Sequence, residues 1–248
     1  MSTEKRIALV TGGMGGLGTS ISRRLHDDGF TVVVGCSLGS SRKDTWLAQQ
    51  REEGYDFHVL ECDIADWDST TKAFEKIREE VGAVDVLVNN AGITRDGTFR
   101  RMTPENWHAV INTNLNSMFN SSKQVVEDMM SKGWGRIINI SSINGQRGQF
   151  GQTNYSAAKA GVHGFTMALA REVSAKGVTV NTISPGYIET EMTAAIRPDI
   201  LEGIIAEIPV GRMGKPEEIA SIVAWLASDE SAYATGSDIA VNGGMNMQ

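Results

Sequence analysis

The chain has 248 residues, a length that suits one large α/β domain and is short for two complete ones. Hydrophobic residues make up 41% and charged residues 21%, an ordinary globular mix that argues against disorder. The formal net charge of -7 disfavours a nucleic-acid partner, which needs a basic face.

The first predicted strand, Arg6–Thr11, runs directly into Thr11-Gly12-Gly13-Met14-Gly15-Gly16-Leu17-Gly18, and a helical pattern follows over Gly16–Asp28. A glycine turn lets the backbone approach a pyrophosphate, and the helix N-terminus adds free N–H groups and a positive dipole end. A plain flexible turn is the competing reading, and the strand–turn–helix context weighs against it. The second strand, Thr31–Gly35, has no acidic residue after it as far as Lys43. NAD-selective folds place a carboxylate there to bind the ribose 2′-hydroxyl. Here Ser40, Ser41, Arg42 and Lys43 open the next helix, Arg42–Glu53. Hydroxyls and a guanidinium hold a 2′-phosphate that a carboxylate would repel, so NADP is expected over NAD, with Gly35, Ser41 and Arg42 in contact. The alternative is that Arg42 and Lys43 are merely solvated.

The third strand, Asp56–Glu61, leads into Cys62-Asp63-Ile64. Asp63 is a candidate acceptor for the adenine amino group, or else a loose cap for the helix at Asp68–Val81. The fourth strand, Val84–Asn89, is followed by Asn90-Ala91-Gly92, small enough for the backbone to pass close to the adenine ribose. A long helix is predicted over Pro104–Ser131, with Pro104 at its first position. Asn114 inside it implies a kink bonded to backbone or a water site, and a purely structural asparagine remains open.

The fifth strand, Arg136–Ser141, delivers Ser142 to the sheet's carboxyl end, where ligands bind in such folds. The next helix, Asn154–Lys176, carries Tyr155 and Lys159 four residues apart, on one face. A lysine ammonium favours the phenolate and lowers a tyrosine pKa, which fits a general acid for a ketone. Spacing alone would make the pair ordinary packing. Ser142 and Asn114 supply the context for a carbonyl anchor and a proton relay to Lys159.

The sixth strand is Val178–Ser184, the last helix is Pro216–Ser228, and the seventh strand is Asp238–Asn242. The strands read as near-continuous apolar runs, as in a parallel sheet covered on both faces. Repeated β-α units give a doubly wound sheet in a single domain, 1–248. Residues 187–214 interrupt the pattern beside the ligand crevice, a candidate substrate lid or else a surface helical hairpin.

Cys36 and Cys62 are too few for a disulfide framework, and His26, His58, His108 and His163 form no ligand-spaced cluster, so no metal site is expected. No signal peptide or roughly 20-residue apolar span is apparent, so a cytoplasmic protein is expected.

Together, Thr11–Gly18, Asn89-Asn90-Ala91-Gly92, Asn114, Ser142, Tyr155-x3-Lys159 and Pro185-Gly186 resemble the short-chain dehydrogenase/reductase family over the whole chain. The resemblance implies a Rossmann sheet of order 3-2-1-4-5-6-7. It also implies a homotetramer, with the fourth and fifth helices and the last strand at interfaces. It implies catalysis by Asn114, Ser142, Tyr155 and Lys159, with the last two also touching the cofactor. Pro185, Gly186, Ile188 and Thr190 would flank the nicotinamide.

Gly92-Ile93-Thr94-Arg95-Asp96 and Pro185-Gly186-Tyr187-Ile188-Glu189-Thr190 resemble the 3-oxoacyl thioester reductases. Trp134–Ile137 and Asn144–Tyr155 are most similar to the members that reduce acetoacetyl-CoA for polyhydroxybutyrate synthesis, which implies an (R)-3-hydroxyacyl product. Substrate contacts are expected from Asp96, Ser142, Gln149, Phe150, Gly151, Gln152, Tyr155, Tyr187 and Arg197, with Arg147 a second cationic candidate. The alternatives are reduction of acyl-carrier-protein thioesters, for which Arg95, Arg100, Arg101 and Arg147 could form a basic rim, a reductase for an unrelated ketone or sugar, and a non-catalytic NADPH sensor.

Overall fold

A computed structural model describes residues 5–194 and 197–247. Residues 1–4 and 248 of the expected domain, and Ala195 and Ile196 of the 187–214 segment, lie outside the described residues.

Seven parallel strands form one sheet of order β3-β2-β1-β4-β5-β6-β7, as the resemblance implies. They are β1 (Ile7–Val10), β2 (Thr31–Cys36), β3 (His58–Glu61), β4 (Val86–Asn89), β5 (Gly135–Ile140), β6 (Val178–Pro185) and β7 (Asp238–Val241). Every residue of β1, β4, β5 and β6 is buried, which explains their unbroken apolar pattern. The helices are α1 (Gly16–Asp27), α2 (Lys43–Glu52), α3 (Trp67–Glu80), α4 (Pro104–Ile111), α5 (Ser117–Lys132), α6 (Ile143–Arg147), α7 (Thr153–Val173), α8 (Glu191–Ala194), α9 (Pro198–Ala206) and α10 (Pro216–Ala227). One apolar layer joins α1 and α10 to the sheet through Ile21, Leu25, Ile219 and Val223. The other joins α3, α5 and α7 to it through Phe74, Val125, Met129 and Val173.

The order reverses at β1, between β2 and β4, so the crevice at the strands' carboxyl ends opens there. Helix α1 lies so close to the glycine turn that a Cβ at Gly18 would stand 2.1 Å from the Gly12 carbonyl oxygen. Gly18→Ala is therefore expected to cost about 2–3 kcal/mol through overpacking. Calorimetry should show Tm lower by about 5–10 °C, and an unchanged Tm would contradict the packing described.

Two predictions are corrected. The single helix over Pro104–Ser131 is broken by a π-helical turn at Asn112–Asn116. The extra residue in that turn is invisible to a 3.6-residue pattern. The cap of α3 is Asp66, which accepts from the Ser69 N–H at 2.7 Å, not Asp63. Segment 187–214 holds α8 and α9, and a parallel bridge between Ile188 and Gly214 pins its ends together. No residue of α9 is buried.

Candidate active site

Two consecutive residues at the end of β5 grip α7, and the next stands beside it. The Lys159 ammonium donates to the Ile140 carbonyl at 2.7 Å. The Ser141 hydroxyl donates to the Lys159 backbone carbonyl at 2.8 Å. The Ser142 hydroxyl accepts from the Asn144 N–H at 3.1 Å and stands near enough to the Tyr155 phenol to lower its pKa. A glycine permits this approach of α6 to α7: a Cβ at Gly145 would stand 2.7 Å from the Lys159 carbonyl carbon. The Lys159 ammonium lies 5.7 Å from the Tyr155 ring centre.

Lys159 is buried, and loss of solvation lowers its pKa from 10.5 to about 8. It therefore keeps its charge at neutral pH. The Tyr155 phenol itself stands above its ordinary value. Burial pushes the phenol up and the Asp96 carboxylate adds to the rise, while the Ser142 hydrogen bond pulls the other way. Spacing on a helix revealed the lysine but not the burial.

Asn114 lies in the π turn and is fully buried. Its Oδ1 accepts from the Ile93 N–H at 2.8 Å and its Nδ2 donates to the Ile93 carbonyl at 2.9 Å. These bonds to the Ile93 backbone, made from the π turn, are of the backbone-bonding kind that the sequence allowed. One amide hydrogen and one lone pair remain for water. A Cβ at Gly92 would stand 3.3 Å from the Asn114 Oδ1 and 3.7 Å from the Lys159 ammonium, so the backbone of Gly92 borders both.

On the other side of the crevice, α1 begins at Gly15 with no side-chain cap and no acidic residue in its first turn. Its free N–H groups suit a pyrophosphate, and the glycines leave the approach open. Thr190 packs over Gly16, where a Cβ would stand 3.3 Å from the Thr190 Cβ. Met14 is buried beneath the loop and Leu17 packs against the core. The Asn90 side chain is committed to the Thr11 and Gly12 carbonyls at 3.0 and 3.1 Å, so only its backbone faces the crevice. Gly186 passes so close to β7 that a Cβ would stand 2.8 Å from the Asn242 Cα. These groups fit a dinucleotide: an uncapped helix N-terminus, a Cβ-free floor and the exposed residue Asp63, whose carboxylate accepts from the Ala65 N–H at 3.0 Å.

No acid follows β2, but both cations near it have carboxylate partners. Lys43 is held by Glu61 at 2.6 Å, and Glu61 also accepts from the Gly39 N–H at 2.7 Å. Arg42, exposed beside Ser41, meets Glu191 of α8 at 3.2 Å. An exposed pair of this kind is weak, so Arg42 is the cation free to change partner.

The expected substrate residues are brought together in part. Gln152 donates to Asp96 at 2.8 Å and accepts from the Asn144 side chain at 3.0 Å. Gly151 accepts from the Gly97 N–H at 2.8 Å, joining the two loops beside Tyr155. Gln149 and Phe150 project into solvent at the rim, Phe150 being 87% exposed. Tyr187 and Ile188 line a cavity of about 140 Å³ with Ile208, Val210 and Asn242, at the base of the 187–214 segment. Arg197 is not an unpaired cation. It is exposed and holds Asp199 two residues on at 2.5 Å, a pairing that sequence reasoning missed. Also missed were Thr11, whose hydroxyl accepts from the Asn90 and Ala91 N–H groups, and His163, although His163 stands four residues after Lys159 on the same helix.

Cys36 and Cys62 belong to opposite apolar layers of the sheet. Burial pushes the Cys62 thiol up to about 12, so it stays a packed thiol. Among the described residues, no helix is long and apolar enough to cross a membrane.

The family model for the short chain dehydrogenases matches residues 6–201. The chain is 64% identical to the acetoacetyl-CoA reductase of Cupriavidus necator over 98% of this chain and 99% of that protein. It is 56% identical to the acetoacetyl-CoA reductase of Allochromatium vinosum over the same shares. A third relative, the 3-oxoacyl-[acyl-carrier-protein] reductase of Escherichia coli, is 48% identical over the full length of both chains. A parallel sheet with a glycine turn at its reversal, a serine, tyrosine and lysine on the facing strand and helix, and this extent of likeness lead to one conclusion: the chain belongs to the short-chain dehydrogenase family of nicotinamide-dependent oxidoreductases.

Proposed function

We propose that the protein reduces acetoacetyl-CoA to (R)-3-hydroxybutyryl-CoA with NADPH, the step that supplies polyhydroxybutyrate synthesis. The observation that carries this reading is the convergence of Ser142, Tyr155 and buried Lys159 at the crevice of a chain 64% identical to an acetoacetyl-CoA reductase.

The cofactor rests on the glycine turn, with Arg42 and Ser41 taking the 2′-phosphate and Asp63 and Ile64 flanking the adenine. When bound, the dihydronicotinamide supplies the hydride. Ser142 and Tyr155 hold the 3-keto oxygen between their hydroxyls. As the carbonyl carbon is reduced, the Tyr155 phenol gives its proton to the developing alkoxide. The Lys159 ammonium, fixed on the Ile140 carbonyl, stabilises the phenolate that results. Water at the free hydrogen-bonding positions of Asn114 returns the proton. Asp96 and Gln152 are placed to meet the thioester or the pantetheine amide, and the 187–214 segment covers the acyl group.

A steady-state assay with acetoacetyl-CoA and NADPH tests the reading. Rapid loss of NADPH is expected, and a folded, NADPH-binding protein without turnover would refute the substrate. Reduction of carrier-protein thioesters is the second reading, favoured by exposed Arg95, Arg100, Arg101 and Arg147 and by the 48% identical relative. Parallel assays with the two thioesters separate these readings. A silent NADPH sensor has no support from a site whose catalytic side chains are all present.

We further propose a cytoplasmic homotetramer. Phe119 on α5 and Met167 on α7 are 54% and 53% exposed, as an interface through these helices would require. Light scattering on the purified protein checks this, and a monomer would contradict it.

A further inference from the structure

Beneath the site lies a chain of polar groups that the reaction does not touch. His163 follows Lys159 by one turn of α7. Its Nε2 lies 3.0 Å from the Ser141 Oγ, and its Nδ1 lies 3.1 Å from the Asp238 Oδ2. The order serine–histidine–aspartate looks hydrolytic, but the direction of the protons says otherwise. Ser141 is buried, and its one proton goes to the Lys159 carbonyl, an acceptor only. A hydroxyl turned away from the imidazole cannot be activated by it. Ser141 must accept from His163, so Nε2 carries a proton.

Asp238 is also constrained. It accepts from Ser184 and from Gln146, both at 2.7 Å. Burial raises its pKa, but the hydrogen bonds from His163, Ser184 and Gln146 outweigh that and hold it below the usual carboxylate range. The His163 Nδ1 lies 3.1 Å from this carboxylate, so the imidazole is clamped between the end of β5 and the start of β7.

The clamp has a mechanical result. Asp238 begins β7 and gathers the end of β6 through Ser184, α6 through Gln146 and α7 through His163. His163 in turn fixes the Ser141 hydroxyl on the Lys159 carbonyl. Ile140 and Ser141 then hold the lysine's ammonium and the lysine's backbone in succession, and Ser142 neighbours the tyrosine's phenol. Without the donor from His163, the Ser141 hydroxyl can rotate off the Lys159 carbonyl, and the second of these grips is lost.

We propose that His163 and Asp238 are positioning residues for the reaction, holding Ser141 on the Lys159 backbone and so setting Tyr155 and Lys159 against Ser142. The proposal rests on the catalytic reading above.

The test compares His163→Leu, His163→Gln, Ser141→Ala and the double variant S141A/H163L in steady-state acetoacetyl-CoA reduction, with melting curves to show each is folded. Misplacing the acid by a fraction of an ångström should lower kcat about tenfold in H163L and in S141A. KM should stay within about twofold, since neither residue meets substrate. The double variant should be no slower than either single one, because both remove the same grip. The glutamine amide reaches the position of Nε2, so H163Q should retain kcat within about threefold of the unaltered enzyme.

Losses that multiply in the double variant, an unchanged kcat in H163L, or an H163Q as slow as H163L would each overturn the proposal. Tyr155→Phe run alongside separates the two claims. Full turnover in Y155F would sink the catalytic reading itself, whereas collapse in Y155F beside an unaffected H163L would sink only the clamp.

Discussion

Tyr155→Phe should lower kcat for acetoacetyl-CoA by about 10³-fold and leave NADPH binding nearly unchanged. The substitution keeps the ring and its packing and removes one hydroxyl. That hydroxyl neighbours Ser142 and its ring centre lies 5.7 Å from the buried Lys159 ammonium, so it is the proton donor expected to serve any carbonyl held by Ser142. Loss of a positioned general acid is worth about 10²–10⁴-fold, or roughly 4 kcal/mol of transition-state stabilisation at the middle of that range. Single-turnover measurement at saturating NADPH isolates the chemical step. A loss below about tenfold would move the acid elsewhere. The pH dependence carries a sign of its own. Reduction needs the phenol protonated and Lys159 charged, and burial has lowered the lysine to about 8. In the protein as described, rate should therefore fall as pH rises through about 8, the alkaline limb being set by loss of the ammonium. A flat profile to pH 10 would mean that the bound complex restores the lysine's ordinary value.

The second large effect is on cofactor choice. Arg42→Asp should lower kcat/KM for NADPH about 100-fold and leave NADH unchanged or improved. A charged hydrogen bond to phosphate contributes about 1.5–3 kcal/mol, and placing a carboxylate there adds repulsion. Lys43 cannot easily substitute, because Glu61 holds it at 2.6 Å. Arg42 can release Glu191, since both side chains are more than half exposed. Measuring both cofactors across a range of salt gives a check within the experiment. The NADPH advantage of the unaltered protein should shrink as salt rises, and that of the variant should not. Equal losses for both cofactors would instead mean that Arg42 supports the fold of the α2 start.

Much of this was legible in the sequence, and the reasons are local. Strands such as Val178–Ser184 read correctly because burial on both faces leaves an unbroken apolar run. The glycine turn read correctly because strand, glycines and helix are contiguous. Tyr155 and Lys159 share a helix face by spacing alone. What escaped depends on residues distant in the chain. The π turn at Asn112–Asn116 adds one residue that periodicity cannot register. The loose capping alternative for Asp63 falls because Asp66, three residues later, caps α3. The partners of Arg42 and Lys43 lie 149 and 18 residues away. The rise in the Tyr155 pKa comes from burial, a property of the packed molecule. His163 was visible four residues beyond Lys159, but its meaning needed Asp238, which only the sheet brings beside it.

The bridge between Ile188 and Gly214 has a consequence for how such a protein could diversify. With both ends stitched to each other, everything between them forms a cassette whose length is independent of the registers of β6 and α10. Doubling the length of a closed loop adds only about 0.6 kcal/mol of closure entropy. Helices α8 and α9 could thus be exchanged for longer or shorter versions while the sheet keeps its registers; if the segment covers the acyl group as proposed above, such exchange would alter which acyl chains fit. Selectivity and catalysis would then evolve on separate clocks.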